Sequence, residues 1–274
     1  MTDPAFRLTL LAPQPRTHVL AYLSTPPDLE IRDDAKGDRD ALIVILAGTL
    51  LLYVFHYWGR PDYFVRSGLI DWFSSNVGGP LEGHPGVGAY LYWGSTSLVL
   101  RTLVPAGVIL WLIGESPRDW GFRIRGTLRH FPAYGLMYVV MFPILVWVSS
   151  IDSFENYYPF YDRAAEGGAA FWLYEFGYAA QFVGIEAFFR GFLTFGLARR
   201  FGLLGIAIMT VPYTMIHFGK PAPEAFAAII AGLALGYLAL KSKSFVPGIF
   251  LHVGVAITMD LLVLWRIGAL GNLF

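Results

Sequence analysis

The stretch Gly184-Ile-Glu-Ala-Phe-Phe-Arg-Gly191 places a carboxylate and a guanidinium four residues apart inside a long apolar run. Residues at i and i+4 share one face of a helix, so Glu186 and Arg190 are predicted to be neighbours. Glu175, about three turns earlier, falls on the same face. A charge at the bilayer centre costs at least about 2.5–3.5 kcal/mol, so the stretch indicates either a structural ion pair or a functional site.

The composition around this stretch is that of a membrane protein. Of the 274 residues, 55% are hydrophobic and 15% are charged, whereas soluble domains average about 25% charged residues. The absence of cysteine excludes disulfides and thiolate chemistry, and the formal net charge of zero gives no bulk attraction to nucleic acid. We therefore expect an all-α, polytopic integral membrane helical bundle, with membrane lipid and not nucleic acid as its surroundings.

Seven apolar segments approach the length of about 20 residues that a membrane span requires. They are residues 41–58, 88–113, 131–150, 169–198, 202–218, 224–240 and 245–266. The amphipathic segment 66–76 is predicted to be a short interfacial helix. Residues 1–40 are predicted to form a polar N-terminal arm, partly disordered or lying on the surface, and residues 41–274 a single transmembrane domain.

The Lys and Arg residues between the spans are distributed unequally, which predicts an orientation. Alternate loops starting with the arm hold 13 of them, and the other loops hold 5. The first set is Arg7, Arg16, Arg32, Lys36, Arg39, Arg118, Arg123, Arg125, Arg129, Arg199, Arg200, Lys241 and Lys243; the second is Arg60, Arg66, Arg163, Lys220 and Arg266. We expect a cytoplasmic N-terminus in a bacterial-type plasma membrane.

Two further polar positions lie in or next to the predicted spans. In the stretch 212–224, His217 ends an apolar helix, and Glu224 opens the next helix after a Gly- and Pro-containing break. His252 lies within the last span, where a lone histidine is more often a satisfied core residue than a ligand. His217 could equally be a solvated residue of an ordinary interfacial loop rather than a functional residue.

Taken together, Glu186, His217 and His252 form a set that could activate water, because glutamate and histidine both accept protons. The same three side chains could bind zinc as two imidazoles and a carboxylate. No His-Glu-x-x-His motif is present to favour zinc. No cofactor is therefore expected, zinc stays an alternative, and metal dependence is left open.

Three motifs, in this order on three apolar helices, resemble the CAAX protease and bacteriocin-processing family, also called CPBP or Abi. They are Ile-Glu-Ala-Phe-Phe-Arg-Gly at 185–191, Tyr-Thr-Met-Ile-His at 213–217 and Leu-His-Val-Gly-Val-Ala at 251–256. The Arg-rich segment 115–126 resembles the loop that precedes the family core, so the resemblance covers about residues 115–262. It implies an intramembrane endopeptidase that cleaves a membrane-associated or prenylated peptide or protein substrate.

The family pattern is Glu-Glu-x-x-x-Arg, Phe-x-x-x-His and His-x-x-x-Asn. Glu186 and Arg190 match the second Glu and the Arg, Tyr213 stands for the Phe, and His217 and His252 match the two histidines. The resemblance implies that Glu186 and His217 activate water, that His252 stabilises the oxyanion, and that Arg190 holds Glu186.

Two departures leave a second interpretation open. The first Glu of the pattern is Ile185 and the Asn is Ala256; neither side chain can exchange a proton or donate a hydrogen bond. Either Glu224 replaces the missing carboxylate in a rearranged site, or the protein is a catalytically silent relative that acts in membrane binding or immunity. A transporter or channel is a third, less favoured reading, because no internal repeat is detectable. The oligomeric state is not predicted.

Overall fold

The computed structural model describes residues 19–273, and all regular elements in this range are helical. The main helices are α1 (Val19–Ser24), α2 (Ala35–Trp58), α3 (Pro61–Arg66), α4 (Leu69–Asn76), α5 (Gly86–Ile113, with π-helical turns), α6 (Leu128–Val148), α7 (Gly168–Ile185), α8 (Thr194–Phe201), α9 (Leu204–Met215), α10 (Ala222–Ser242) and α11 (Val246–Arg266). A π-helical segment, Glu186–Leu193, joins α7 to α8 without a break. The all-α prediction is confirmed.

Five helices of the described chain are long and apolar enough to cross a membrane, namely α2, α5, α6, α10 and α11. The protein is therefore an integral membrane protein. The other two predicted spans differ from this group. The segment 169–198 is helical but carries several polar side chains, and the segment 202–218 contains a helix of only 12 residues, Leu204–Met215.

The N-terminal arm is partly helical where the structure describes it. Helix α1 lies within it, and α2 begins at Ala35 rather than at the predicted residue 41. The earlier start follows from Asp34, whose carboxylate accepts a hydrogen bond from the backbone N–H of Gly37 at 2.7 Å and so caps the helix. Residues 1–18, which the arm prediction also covers, lie outside the described range.

The predicted interfacial segment 66–76 holds one short helix, α4, and its first residue, Arg66, is the last residue of α3. Helix α3 ends at Arg66 and α4 begins at Leu69. Gly68 separates them with a φ of 79°, a left-handed conformation that glycine adopts readily.

Helices α5 and α7 approach each other closely through glycines, which is the usual way for membrane helices to pack. A Cβ atom on Gly94 would lie 2.6 Å from the carbonyl oxygen of Gly177, and one on Gly177 would lie 2.6 Å from that of Tyr90. A Cβ atom on Gly184 would lie 2.2 Å from Oγ of Ser97. This contact brings the end of α7, and therefore Glu186, against the middle of the bundle.

A cluster of charges around Glu115 joins three elements at one end of the bundle. Its carboxylate accepts hydrogen bonds from Arg32, which precedes α2, and from Arg199 at the end of α8. Lys36 Nζ lies 3.3 Å and Trp120 Nε1 2.9 Å from it. Burial alone would raise the pKa of Glu115, but the hydrogen bonds from Arg32 and Trp120 and the charge of Arg199 outweigh burial and lower this pKa to about 2.

Candidate active site

Glu186 opens the π-helical segment Glu186–Leu193, all eight residues of which are buried. The Glu186 side chain is 1% exposed to solvent and that of Arg190 is fully buried. Short π-helical stretches inside α-helices occur frequently at functional sites. The stretch that opened the sequence analysis therefore lies in the π-helical part of the continuous helical run formed by α7, Glu186–Leu193 and α8.

Three features surround the carboxylate of Glu186. His252 Nδ1 lies 2.7 Å from Oε1, and Arg190 Nη1 forms an ion pair with the same oxygen at 3.3 Å. The other oxygen, Oε2, points at the first turn of α11, where a Cβ atom on Gly248 would lie only 2.3 Å from it. The positive end of a helix dipole also favours a negative charge at this position. A buried charge is tolerated when it is paired in this way.

Tyr213 closes the group formed by Glu186, Arg190 and His252. Its hydroxyl oxygen lies 3.2 Å from Nε2 of His252, and the Cζ atom of Arg190 lies 3.8 Å from its ring centroid. The side chain is 1% exposed. Sequence reasoning treated Tyr213 only as a stand-in for phenylalanine. The signal for a larger role was the added hydroxyl group.

His217 is held one turn further along the chain. Its Nδ1 atom donates to the backbone carbonyl of Tyr213 at 2.8 Å, because a carbonyl can only accept, and this leaves Nε2 as an acceptor. The rings of His217 and Tyr213 are 4.8 Å apart. Among the described residues, no hydrogen bond or ion pair joins His217 to Glu186 or His252.

Tyr213 joins helix α9 to helix α11. Sequence analysis placed His217 at the end of the apolar segment 202–218 and His252 within the last span. Helix α9 ends early, at Met215. Tyr213, and not His217, hydrogen-bonds His252.

Glu224 occupies a separate position. Its carboxylate accepts hydrogen bonds from the Tyr158 hydroxyl at 2.7 and 2.9 Å and pairs with Lys220 Nζ at 2.7 Å. Within residues 19–273, no hydrogen bond or ion pair connects it to Glu186 or the two histidines. Its role as a replacement for the missing glutamate stays a prediction.

A second buried polar group lies beyond the first along α7 and α11. Asp260 has no exposure and Glu175 has 3%. The Tyr174 hydroxyl donates to Oδ2 of Asp260 at 2.6 Å, whereas both carboxyl oxygens of Glu175 and Oδ1 of Asp260 are buried with no N–H or O–H partner among the described residues. Two buried carboxyl groups of this kind can stabilise each other only by sharing a proton. Sequence analysis placed Glu175 on the face of Glu186 and did not pair it with Asp260.

The arrangement does not fit a bound metal ion. Among residues 19–273, no group of three or more His, Asp or Glu side chains is placed to hold one. The Glu186 Oε1 and His252 Nδ1 atoms face each other at hydrogen-bond distance, and Nδ1 of His217 is bonded to a backbone carbonyl. We therefore assign no step to zinc.

The fold and the paired side chains together define an integral membrane protein with a buried glutamate–histidine–arginine site. Residues 168–258 match the Rce1-like family model, which is described as type II CAAX prenyl endopeptidase Rce1-like. No curated protein and no solved structure matches the chain at a significant level. The resemblance to the CAAX proteases is thereby confirmed over residues 168–258. This range contains all three motifs, whereas the Arg-rich segment 115–126 lies outside it.

Proposed function

We propose that the protein is a CAAX-type intramembrane endopeptidase that hydrolyses a peptide bond of a membrane-associated or prenylated substrate. The observation that carries the proposal is the hydrogen bond between Glu186 and His252, which joins two motifs of the matched family segment at 2.7 Å. A carboxylate paired with an imidazole in a buried site is the arrangement used to move a proton during acyl transfer.

In this proposal Glu186 accepts a hydrogen bond from Nδ1–H of His252 and so fixes the tautomer of the ring. The Nε2 atom of His252 is then an acceptor: an attacking water replaces the Tyr213 hydroxyl, which lies 3.2 Å from this atom, and gives it a proton. This role replaces the oxyanion role that the resemblance implies for His252. The His252 side chain is 16% exposed, whereas Glu186 is sealed at 1%, so the imidazole is the member of the pair that a water can reach. Arg190, 3.3 Å from the same carboxylate, holds Glu186 in this position.

His217 has a separate place in the proposal. Its Nε2 atom is free to accept a hydrogen bond, and its 9% exposure leaves it reachable. The implied role of His217 in activating water stays a prediction. Turnover by a His217→Ala variant measures it directly.

The test uses the full-length protein in proteoliposomes with a peptide that ends in prenylated Cys followed by three residues. The same peptide without the prenyl group measures how far the lipid contributes to recognition. Glu186→Gln keeps the shape of the side chain and removes its charge, and His252→Ala removes the imidazole. Each should abolish cleavage in protein that still shows a cooperative melting transition, even where loss of the buried pair with Arg190 lowers the melting temperature. Full cleavage by the folded Glu186→Gln protein would contradict the proposal.

The second candidate function is that of a catalytically silent relative that acts in membrane binding or immunity, because Ile185 occupies the position of the first glutamate in the family pattern. The Ile185 side chain is 6% exposed and belongs to the apolar core of the bundle. Under this alternative the purified protein binds a membrane-associated or prenylated peptide without cleaving it. Binding that persists over hours with an intact peptide supports this alternative over the protease.

A further inference from the structure

Lys220 lies in the break between helices α9 and α10, shortly after His217 of the second motif. Its backbone N–H donates to the His217 carbonyl at 3.1 Å, so the two residues begin and end one turn. A turn of this kind keeps its first and last Cα atoms within about 7 Å of each other. The Lys220 side chain is 20% exposed, whereas that of Arg190 in the proposed site is fully buried. Lys220 is therefore a cation beside the site that a bound peptide can reach.

The ammonium of Lys220 is held by three side chains but is not saturated by them. Its Nζ atom donates to Oε1 of Glu224 at 2.7 Å and to the Tyr158 hydroxyl oxygen at 3.1 Å. It also lies 5.4 Å from the centroid of the Phe160 ring. An ammonium has three N–H donors, and within residues 19–273 hydrogen-bond acceptors are present for two of them. The third donor is available to a bound group.

The proposed substrate carries a charge of the opposite sign at a fixed distance from the reacting bond. A peptide that ends in prenylated Cys followed by three residues has a free carboxylate at its C-terminus. Hydrolysis directly after the Cys places this carboxylate three residues from the scissile bond, or about 10 Å in an extended chain. The turn from His217 to Lys220, together with the length of the lysine side chain, covers a distance of this order. A peptide bond beside His217 is therefore compatible with a C-terminus at Lys220.

We infer that Lys220 binds the C-terminal carboxylate of the substrate and is a specificity-determining residue of this site; the inference rests on the proposed function. The ammonium takes no part in breaking the peptide bond and acts through its charge and its third N–H donor. The distance of 2.7 Å to Glu224 is typical of a charge-assisted hydrogen bond, so the ammonium is placed to hold a carboxylate. A second carboxylate shares the cation with Glu224. Repulsion between the two negative charges therefore limits how tightly the substrate binds.

The test compares two prenylated peptides of the same sequence, one ending in a free carboxylate and the other in an amide, which removes the charge. Since hydrogen bonds between charged groups are the strong ones, the wild-type KM should be at least about tenfold higher for the amide. Lys220→Met should bring the two KM values to within about twofold of each other, mainly by raising KM for the free acid. Lys220→Arg keeps the charge and should keep most of the preference.

Two further variants separate the charge of Lys220 from its contribution to the fold. Glu224→Gln removes the competing charge and should lower KM for the free acid more than for the amide. Lys36→Met is the matched control, because it removes a lysine that pairs with Glu115 at 3.3 Å, outside the site, and should keep the wild-type preference. Where Lys220→Met alone shows no cooperative melting transition, the double variant Lys220→Met with Glu224→Gln replaces it, since neither charge is then left without a partner.

Failure of this inference is distinguishable from failure of the proposed function. Cleavage of both peptides by the wild type with equal KM overturns only the role of Lys220, and so does a preference for the free acid that survives in folded Lys220→Met. Absence of cleavage of either peptide contradicts the proposed function. In that case the dissociation constants of the two labelled peptides still test Lys220, because they should differ in the wild type and become similar in Lys220→Met.

Discussion

The Nδ1 atom of His252 lies 2.7 Å from Oε1 of Glu186 and joins helix α11 to the π-helical segment across the buried interior. The same oxygen pairs with Arg190 at 3.3 Å. Glu186 therefore shares one oxygen between a cation and an imidazole, while Oε2 faces the backbone of α11. The position of this carboxylate depends on groups from two helices, and small changes on either helix should alter it.

Gly248→Ala tests how closely α11 approaches the carboxylate. The added Cβ atom would lie 2.3 Å from Oε2 of Glu186, so the carboxylate must move. A displacement of about 1 Å in a catalytic group can cost about 10²-fold in rate, and we expect peptide cleavage to fall at least tenfold. Gly254→Ala is the control on the same helix, because its Cβ atom would meet Tyr138 Cε2 at an ordinary 3.4 Å. Equal cleavage by the two variants would contradict the prediction.

Arg190 and Arg101 are both buried guanidiniums, but they should respond oppositely to replacement by methionine. Arg190→Met leaves Glu186 without its cation, and breaking a buried pair typically costs about 3–5 kcal/mol. Arg101 is 5% exposed and lies over the Phe55 ring at 3.4 Å; within the described part of the chain it has no hydrogen bond or ion pair. Arg101→Met should be neutral or stabilising. Denaturant unfolding in detergent compares the two, and a larger loss for Arg101→Met would refute this.

The carboxyl pair of Asp260 and Glu175 predicts a second contrast. Asp260→Ala leaves the Tyr174 hydroxyl and the Glu175 carboxyl without their partner, and each such loss costs about 1–3 kcal/mol. Glu175→Gln replaces the shared proton with an amide N–H, so the free energy of unfolding should change little. Unfolding of the two variants at neutral pH measures the difference. The pairing is wrong if Glu175→Gln is the more damaging change.

Glu115 predicts a pH dependence of stability outside the membrane. Its pKa is lowered from 4.5 to about 2 in the folded protein, because Arg32, Trp120 and Arg199 favour the ionised form against the opposing effect of burial. A lowered pKa stabilises the fold above the unfolded value of 4.5, and this contribution disappears as the pH falls through about 2. The melting-temperature gap between wild type and Glu115→Gln should be constant from pH 5 to 7 and should narrow between 4.5 and 2. A gap that widens with acid would argue against the pairing.

The sequence was sufficient for the fold class and for the resemblance over residues 168–258, because both depend on local signals. Apolar length predicts spanning helices directly, and the i,i+4 spacing of Glu186 and Arg190 predicted their ion pair correctly. The short length of α9 was not predicted, because the segment 202–218 was expected to span the membrane whereas its helix covers only Leu204–Met215. The segment 169–198 was predicted to be a span, but it is not among the five helices that are long and apolar enough. One face of this helix carries buried polar side chains, and a mean hydropathy over all its residues does not separate that face from the apolar one.

Contacts between helices could not be read from spacing. Tyr213 hydrogen-bonds His252 because α9 and α11 cross at that point, and crossing geometry depends on packing that single-sequence patterns do not encode. Glu224 shows the same limitation. Its position at a helix start suggested that it belongs to the site of Glu186, but its carboxylate accepts a hydrogen bond from Tyr158, which lies in a loop 66 residues earlier in the chain. The interaction between Glu175 and Asp260 was likewise not predicted from the sequence.

The early end of helix α9 relates the site to bilayer thickness. Twelve residues of α-helix extend about 18 Å, well short of a hydrocarbon layer of about 30 Å. Next to this helix the hydrocarbon layer must become locally thinner or be replaced by water. Local thinning costs fractions of a kcal/mol for each ångström of mismatch. A substrate peptide bond would then reach His252 without crossing the full depth of the acyl chains. Longer-chain lipids should therefore slow the proposed hydrolysis while leaving the melting temperature of the protein nearly unchanged.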